Sequence, residues 1–167
     1  MQNLQTEDTS ASLYTGSSGI AVTLLEALKA GLIDNDFYTK ISPLLNKPGE
    51  VSDIANGIAG QGLATIMCAG GIDSQESADR LQQYLSTILG QQQKDGSWLF
   101  NAGKNKLKTI TGFSNGIAGI IYFLLCHGEH SGNQEAVKAA EKGLQWLINK
   151  AISHGNKFNW SSSSAKS

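Results

Sequence analysis

Two cysteines and three histidines are the side chains of this 167-residue sequence best suited to hold a metal or move a proton near neutral pH. Three of the five stand close together: Cys126, His127 and His130. A thiolate and two imidazoles can ligate zinc, but tetrahedral sites draw their ligands from separated elements, and these three share one loop. Cys126-His127-Gly128 also closes an apolar stretch. The simpler expectation is a helix C-terminus, with Cys126 buried, His127 favoured by the negative helix end and Gly128 as cap. No metal site is expected, Cys126 and His127 being the nearest approach to one. Cys68, ahead of Ala69-Gly70-Gly71, reads as a small core residue. His154, in Ser153-His154-Gly155, reads as a cation near a helix C-terminus. Among the acids, Glu26, Asp53 and Asp95 lie nearest to inner helices or loops, where capping and turn roles suffice for them.

Other chemistries lack their residues. There is no phosphate-binding Gly-x-x-x-x-Gly-Lys, no Gly-x-Gly-x-x-Gly, no His-Glu-x-x-His and no Gly-x-Ser-x-Gly. Thirteen Lys and Arg against fourteen Asp and Glu leave a net charge of −1, which disfavours nucleic acid and anionic membrane surfaces as partners. No apolar run approaches the ~20 residues of a membrane-spanning helix. Met1 to Ser10 is polar and carries no secretory signal, and two cysteines far apart suit a reducing compartment, so a cytoplasmic location is expected. Asn159-Trp160-Ser161 matches a glycosylation pattern that has no meaning without such a signal.

The elements that would position these residues are announced by glycine. Nineteen glycines accompany only two prolines, and six of the glycines form a repeat. Thr15-Gly16-Ser17-Ser18-Gly19-Ile20, Asn56-Gly57-Ile58-Ala59-Gly60-Gln61 and Asn115-Gly116-Ile117-Ala118-Gly119-Ile120 each run into an apolar, nearly uncharged stretch. The first glycines are 41 and then 59 residues apart, periods that mark repeated supersecondary units. Between them lie charged amphipathic stretches, so inner helices at about 17–30, 58–69 and 117–127 alternate with outer helices at about 36–46, 74–90 and 133–152. Pro43 weakens the first outer helix. No segment carries a convincing strand pattern, and the fold class is all-α, built of three α/α hairpins. The paired glycines would permit positive φ and close approach at tight helix openings, with Asn56 and Asn115 placed to cap them.

These repeats resemble those of the lanthionine synthetase C-like family. Ser12 to Ile20 looks like the family's first repeat, Asp53 to Gly60 like its second, and Gly112 to Ile120 like its third. The resemblance implies an (α/α) toroid with residues 1–167 as part of that domain. It also implies an activity on a precursor peptide, closing a thioether ring by adding a cysteine thiol to a dehydrated residue. In the family, zinc held by two Cys and one His activates the thiol. The zinc ligands belong to later Trp-Cys-x-Gly and Cys-His-Gly repeats, so no zinc is expected for this chain alone. The family's third repeat has a histidine, a proposed acid/base, where this chain has Asn115, and asparagine cannot shuttle a proton near neutral pH. With about half the family's hairpins present, the chain reads as an N-terminal half of the toroid, expected to self-associate or to meet a missing second half through its open edge.

Two other readings remain open on the sequence: a non-catalytic peptide-binding or scaffold module of the same fold, or an α/α toroid of terpene-cyclase or six-hairpin-glycosidase type. Gln92-Gln93-Lys94-Asp95-Gly96-Ser97-Trp98 fits the Gln-x3-Gly-x-Trp pattern of terpene cyclases. It occurs once and reads as fold reinforcement, with Trp98 packed and Asp95-Gly96 in a turn.

Overall fold

The computed structural model describes residues 10–46, 49, 51–101, 103 and 106–165. Three inner helices, α1 (Ser17–Lys29), α3 (Ile58–Cys68) and α5 (Ile117–Ser131), alternate with outer helices α2 (Tyr38–Leu44), α4 (Ser74–Gln91) and α6 (Gln134–Asn149). Each inner helix pairs with the outer helix that follows it, and α3 is packed between α1 and α5. The three hairpins therefore pack side by side in chain order. Their core has two parts that meet at α3. Leu63, Leu85, Ile88, Trp98, Phe123 and Leu124 lie in one, and Leu25, Leu28, Ile41, Leu45, Ala64 and Cys68 in the other.

The two helix classes start differently. The outer helices α4 and α6 carry side-chain caps: Asp73 accepts from the N–H groups of Gln75 and Glu76, and Asn133 from those of Glu135 and Ala136. The inner helices have no side-chain cap. Their free N–H groups donate instead to backbone carbonyls seven residues upstream: Ser17 to Ser10 at 2.8 Å, Ile58 to Val51 at 2.8 Å and Ala118 to Thr111 at 3.4 Å. Asn56 and Asn115, expected as caps, do not cap.

That doubling back explains the glycines. A Cβ at Gly16, Gly57 or Gly116 would lie 2.1, 2.1 or 2.4 Å from the carbonyl oxygen six residues earlier, and one at Gly19, Gly60 or Gly119 would lie 2.1, 1.9 or 2.0 Å from its own. No side chain fits those positions. The expectation of positive φ is corrected, since Gly16, Gly57 and Gly116 are extended at φ −133°, −130° and −151°. Close approach alone requires glycine there. The three loops are also bonded to one another in register, Tyr14 N–H to the Ala55 carbonyl and Ala55 N–H to the Ser114 carbonyl.

Several boundaries differ from the sequence expectation. Helix α5 does not close at Gly128 but continues to Ser131, and its cap is Gly132, left-handed at φ +71°. Gly128 lies inside the helix, where a Cβ would meet Val137 of α6 at 2.6 Å. Helix α2 is confined to Tyr38–Leu44 after a single 3₁₀ turn, with Pro43 inside it. Helix α6 ends at Asn149, and Ile152 belongs to a strand. His154 is likewise on that strand and not at a helix end.

The structure adds short antiparallel strands to the helical frame. β1 (Phe100–Asn101), β2 (Leu107–Ile110) and β5 (Ser163–Ala165) form one sheet in the order β1-β2-β5, and β3 (Ile152–His154) pairs with β4 (Lys157–Asn159). Ser163–Ala165 thus binds back onto the segment ahead of the third glycine step. The Thr111 hydroxyl and N–H donate to the Ser161 and Ser162 carbonyls at 2.7 and 3.3 Å.

The Gln92–Trp98 stretch does tie the fold together. Trp98 is buried and its indole N–H donates to the Ile88 carbonyl at 2.9 Å. The Gln92 amide donates to the carbonyls of Gly96 and Ala139, linking this turn to α6. Asp95 accepts from the N–H and hydroxyl of Ser97. Partial desolvation pushes its carboxyl upward, but those bonds outweigh it and hold Asp95 below its ordinary range.

Candidate functional site

The loops that open α3 and α5 bring two polar residues together. Asp53 stands four residues before Gly57, is buried, and accepts the Asn56 N–H on Oδ1 at 2.7 Å. Its charge is favourable near the positive N-terminus of α3. The same local turn occurs in the first repeat, where the Ser12 hydroxyl, four residues before Gly16, accepts the Thr15 N–H at 2.9 Å. The third repeat has Gly112 at this position and so no side chain to offer. There the Asn115 amide reaches across and donates to Oδ2 of Asp53 at 3.4 Å.

Two clefts meet at Asn115, and Asp53 lines the first of them. One, of about 610 Å³, is lined by Val51, Ser52, Asp53, Gln91, Phe100 and Asn115 among others. The other, of about 630 Å³, is lined by Phe113, Ala118, Leu147 and Trp160. Asn115 and Ile110 belong to both walls. Ser52 donates to the Gln91 side chain, which fixes the rim of the first cleft to the end of α4. The arrangement offers a carboxylate and a carboxamide beside apolar walls. Those groups suit the backbone amides and side chains of an extended peptide. The sequence marked Asp53 and Asn115 separately, but nothing in it joined positions 62 residues apart.

The donors that zinc would need are scattered. Cys126 and His127 are neighbours on α5 and serve different surroundings. Cys126 is half-buried beside Tyr122, whose hydroxyl pKa is raised first of all by its hydrogen bond to that cysteine. His127 is buried, with its ring edge-on to Phe123 at 5.8 Å and Nδ1 3.1 Å from the Ser131 hydroxyl. His130 is exposed. Among the described residues no group of three His, Cys, Asp or Glu side chains could hold a metal ion. The described residues do not fit a zinc ion. Cys68 is fully buried in the core, and burial pushes its thiol up to about 11, which keeps it a poor nucleophile.

The buried His127 is a neutral core residue, not a cation at the helix end. Burial foremost holds its imidazole below the ordinary histidine range, and nearby His130 adds to the effect. An unfolded chain takes up this proton near about pH 6.5, and the folded chain only at lower pH. The stability linked to His127 is therefore complete above about pH 6.5 and lost as pH falls towards the folded value. Thermal melts should show this acid-side loss in the wild type and a flatter profile in His127→Gln. Identical profiles would contradict the assignment.

Among the described residues no helix is long and apolar enough to cross a membrane. The family model described as lanthionine synthetase C-like protein matches residues 32–167. The matched span holds the second and third glycine steps and begins after the first. Comparison with curated proteins finds no match.

Proposed function

Because the chain belongs to the lanthionine synthetase C-like family, we propose that it binds a precursor peptide over the Asp53–Asn115 clefts and does not itself activate the peptide's thiol. The observation that carries this reading is the Asn115–Asp53 contact at the junction of the two clefts. Asp53 is a fixed acceptor held by the Asn56 N–H, and exposed Asn115 can both donate to and accept from a peptide backbone. Phe113 and Trp160 give the neighbouring cleft an apolar wall for a peptide side chain.

Ring closure by the family's route needs a thiolate. Asn115 cannot take the thiol proton, and the described residues provide no fitting zinc ligands. The reading is accordingly a peptide-holding element of the thioether-forming machinery. Titration calorimetry with a peptide containing cysteine and dehydroalanine tests it. Asn115→Ala and Asp53→Asn are each expected to weaken binding about tenfold, or about 1.4 kcal/mol, with unchanged far-ultraviolet circular dichroism. No binding by the wild type, or binding by both variants as tight as that of the wild type, would contradict it.

A further inference from the structure

The three inner-helix openings are repeats of one another, so each position has its own equivalents. Four residues before the first glycine of each step stand Ser12, Asp53 and Gly112. Ser12 and Asp53 are buried alike, at 1% and 6% exposed. Each accepts the backbone N–H three residues on, from Thr15 at 2.9 Å and from Asn56 at 2.7 Å. Ser12 completes its bonding inside the turn, sharing a hydrogen bond with the Thr15 hydroxyl at 2.9 Å. A neutral hydroxyl therefore builds this turn as well as a carboxylate does, and the third repeat forms it with no side chain at all. The second oxygen of Asp53 and its negative charge exceed what the turn requires.

Burying that charge is costly unless something answers it. The Asn56 N–H answers Oδ1. Oδ2 has the Asn115 amide at 3.4 Å, longer than the roughly 2.7–3.2 Å of a well-formed bond. The ion pairs among the described residues are Lys29–Glu26 and Arg80–Glu76, so among them no cation pairs with Asp53. Asp53 also lines the cleft of about 610 Å³, and among the described residues of that wall it is the one charged side chain. Val51, Phe100 and Ile110 make the wall apolar, and Gln91 and Asn101 are neutral.

We propose that this cleft selects a peptide bearing a lysine or arginine, whose cationic group pairs with Oδ2 of Asp53. The inference rests on the peptide-binding reading of the cleft and adds the class of residue that it recognises. An ammonium or guanidinium group supplies the short, charge-assisted hydrogen bonds that the long Asn115 contact lacks. The methylene stem of the same side chain covers the apolar wall of Val51, Phe100 and Ile110. A backbone amide or a neutral side chain would use the acceptor but leave the buried charge unanswered.

Titration calorimetry with N-acetylated peptides of about ten residues tests this. Each peptide carries one cysteine, one dehydroalanine and a single lysine or arginine, whose position is moved along the series. Each has a counterpart with norleucine in place of the basic residue, and acetylation removes the terminal amine as a competing cation. At one or more positions the wild type should bind the basic peptide about tenfold more tightly than its counterpart, and higher salt should shrink the preference. Asp53→Asn should bind the two alike. Asp53→Ser, which copies Ser12 and keeps the turn, should do the same, and circular dichroism checks that both variants fold. Equal binding of basic and norleucine peptides by the wild type at every position overturns the proposal and leaves the peptide-holding reading standing. No binding of either kind overturns both. A preference that survives in Asp53→Asn overturns the assignment to Asp53.

Discussion

Replacing Gly60 by alanine is expected to lower the melting temperature by about 10 °C, the equivalent of roughly 3 kcal/mol in a chain of this size. The added Cβ would stand 1.9 Å from the Ile54 carbonyl oxygen and 3.1 Å from the Leu13 Cβ. The closer atom is backbone, so relief requires the loop from Asp53 to Asn56 to move. That motion would also strain the bond from the Gly60 N–H to the Asp53 carbonyl and shift the Asp53 carboxylate in the cleft. Stability and peptide binding should therefore fall together. Gly70→Ala is the control, because nothing lies within 4 Å of a Cβ there, and it should change stability by no more than about 1 kcal/mol. Differential scanning calorimetry reads both variants. Equal melting temperatures for Gly60→Ala and the wild type would show that close approach is not what the glycine steps provide.

Trp98→Ala should cost about 4 kcal/mol, as expected for removal of a large buried aromatic ring. Trp98 is among the largest fully buried side chains and sits between α4 and α6. It fills the space that Gly143 leaves open on α6, and its indole holds the Ile88 carbonyl near the end of α4. Removing the ring leaves a cavity that glycine cannot refill. Trp98→Phe should recover part of the loss, since it restores ring volume without the indole N–H. Urea unfolding measures both. A loss below about 1 kcal/mol for the alanine variant would contradict the role given to Trp98 in joining successive hairpins.

The frame was legible in the sequence wherever the signal was local. The alternation of uncharged and amphipathic stretches announced a helical frame, and among the described residues α1 to α6 alternate in the same way, while Gln92, Gly96 and Trp98 act as their spacing implied. What was not legible depends on partners distant in sequence or on backbone alone. The reason for the paired glycines is a carbonyl six residues away, visible only once the loop has doubled back. Ser163–Ala165 carries no side-chain pattern of a strand, because its pairing with Leu107–Ile110 uses main-chain groups. The cap of α5 was misplaced from Gly132 to Gly128 because two glycines four residues apart offer the same local signal, and packing against Val137 decides between them. Asp53 and Asn115 were each noticed, but their meeting is a consequence of α3 and α5 lying side by side.

The proposed function requires the chain to hold a peptide without activating its thiol. It is tested most directly by incubating the wild-type chain, with zinc added, and a peptide that bears one cysteine and one dehydroalanine. Remaining thiol is then counted by alkylation and mass spectrometry. The expected result is a bound peptide whose cysteine stays alkylatable to the same extent as in a control without the chain. Catalysed loss of the alkylatable thiol, with formation of the thioether, would contradict it.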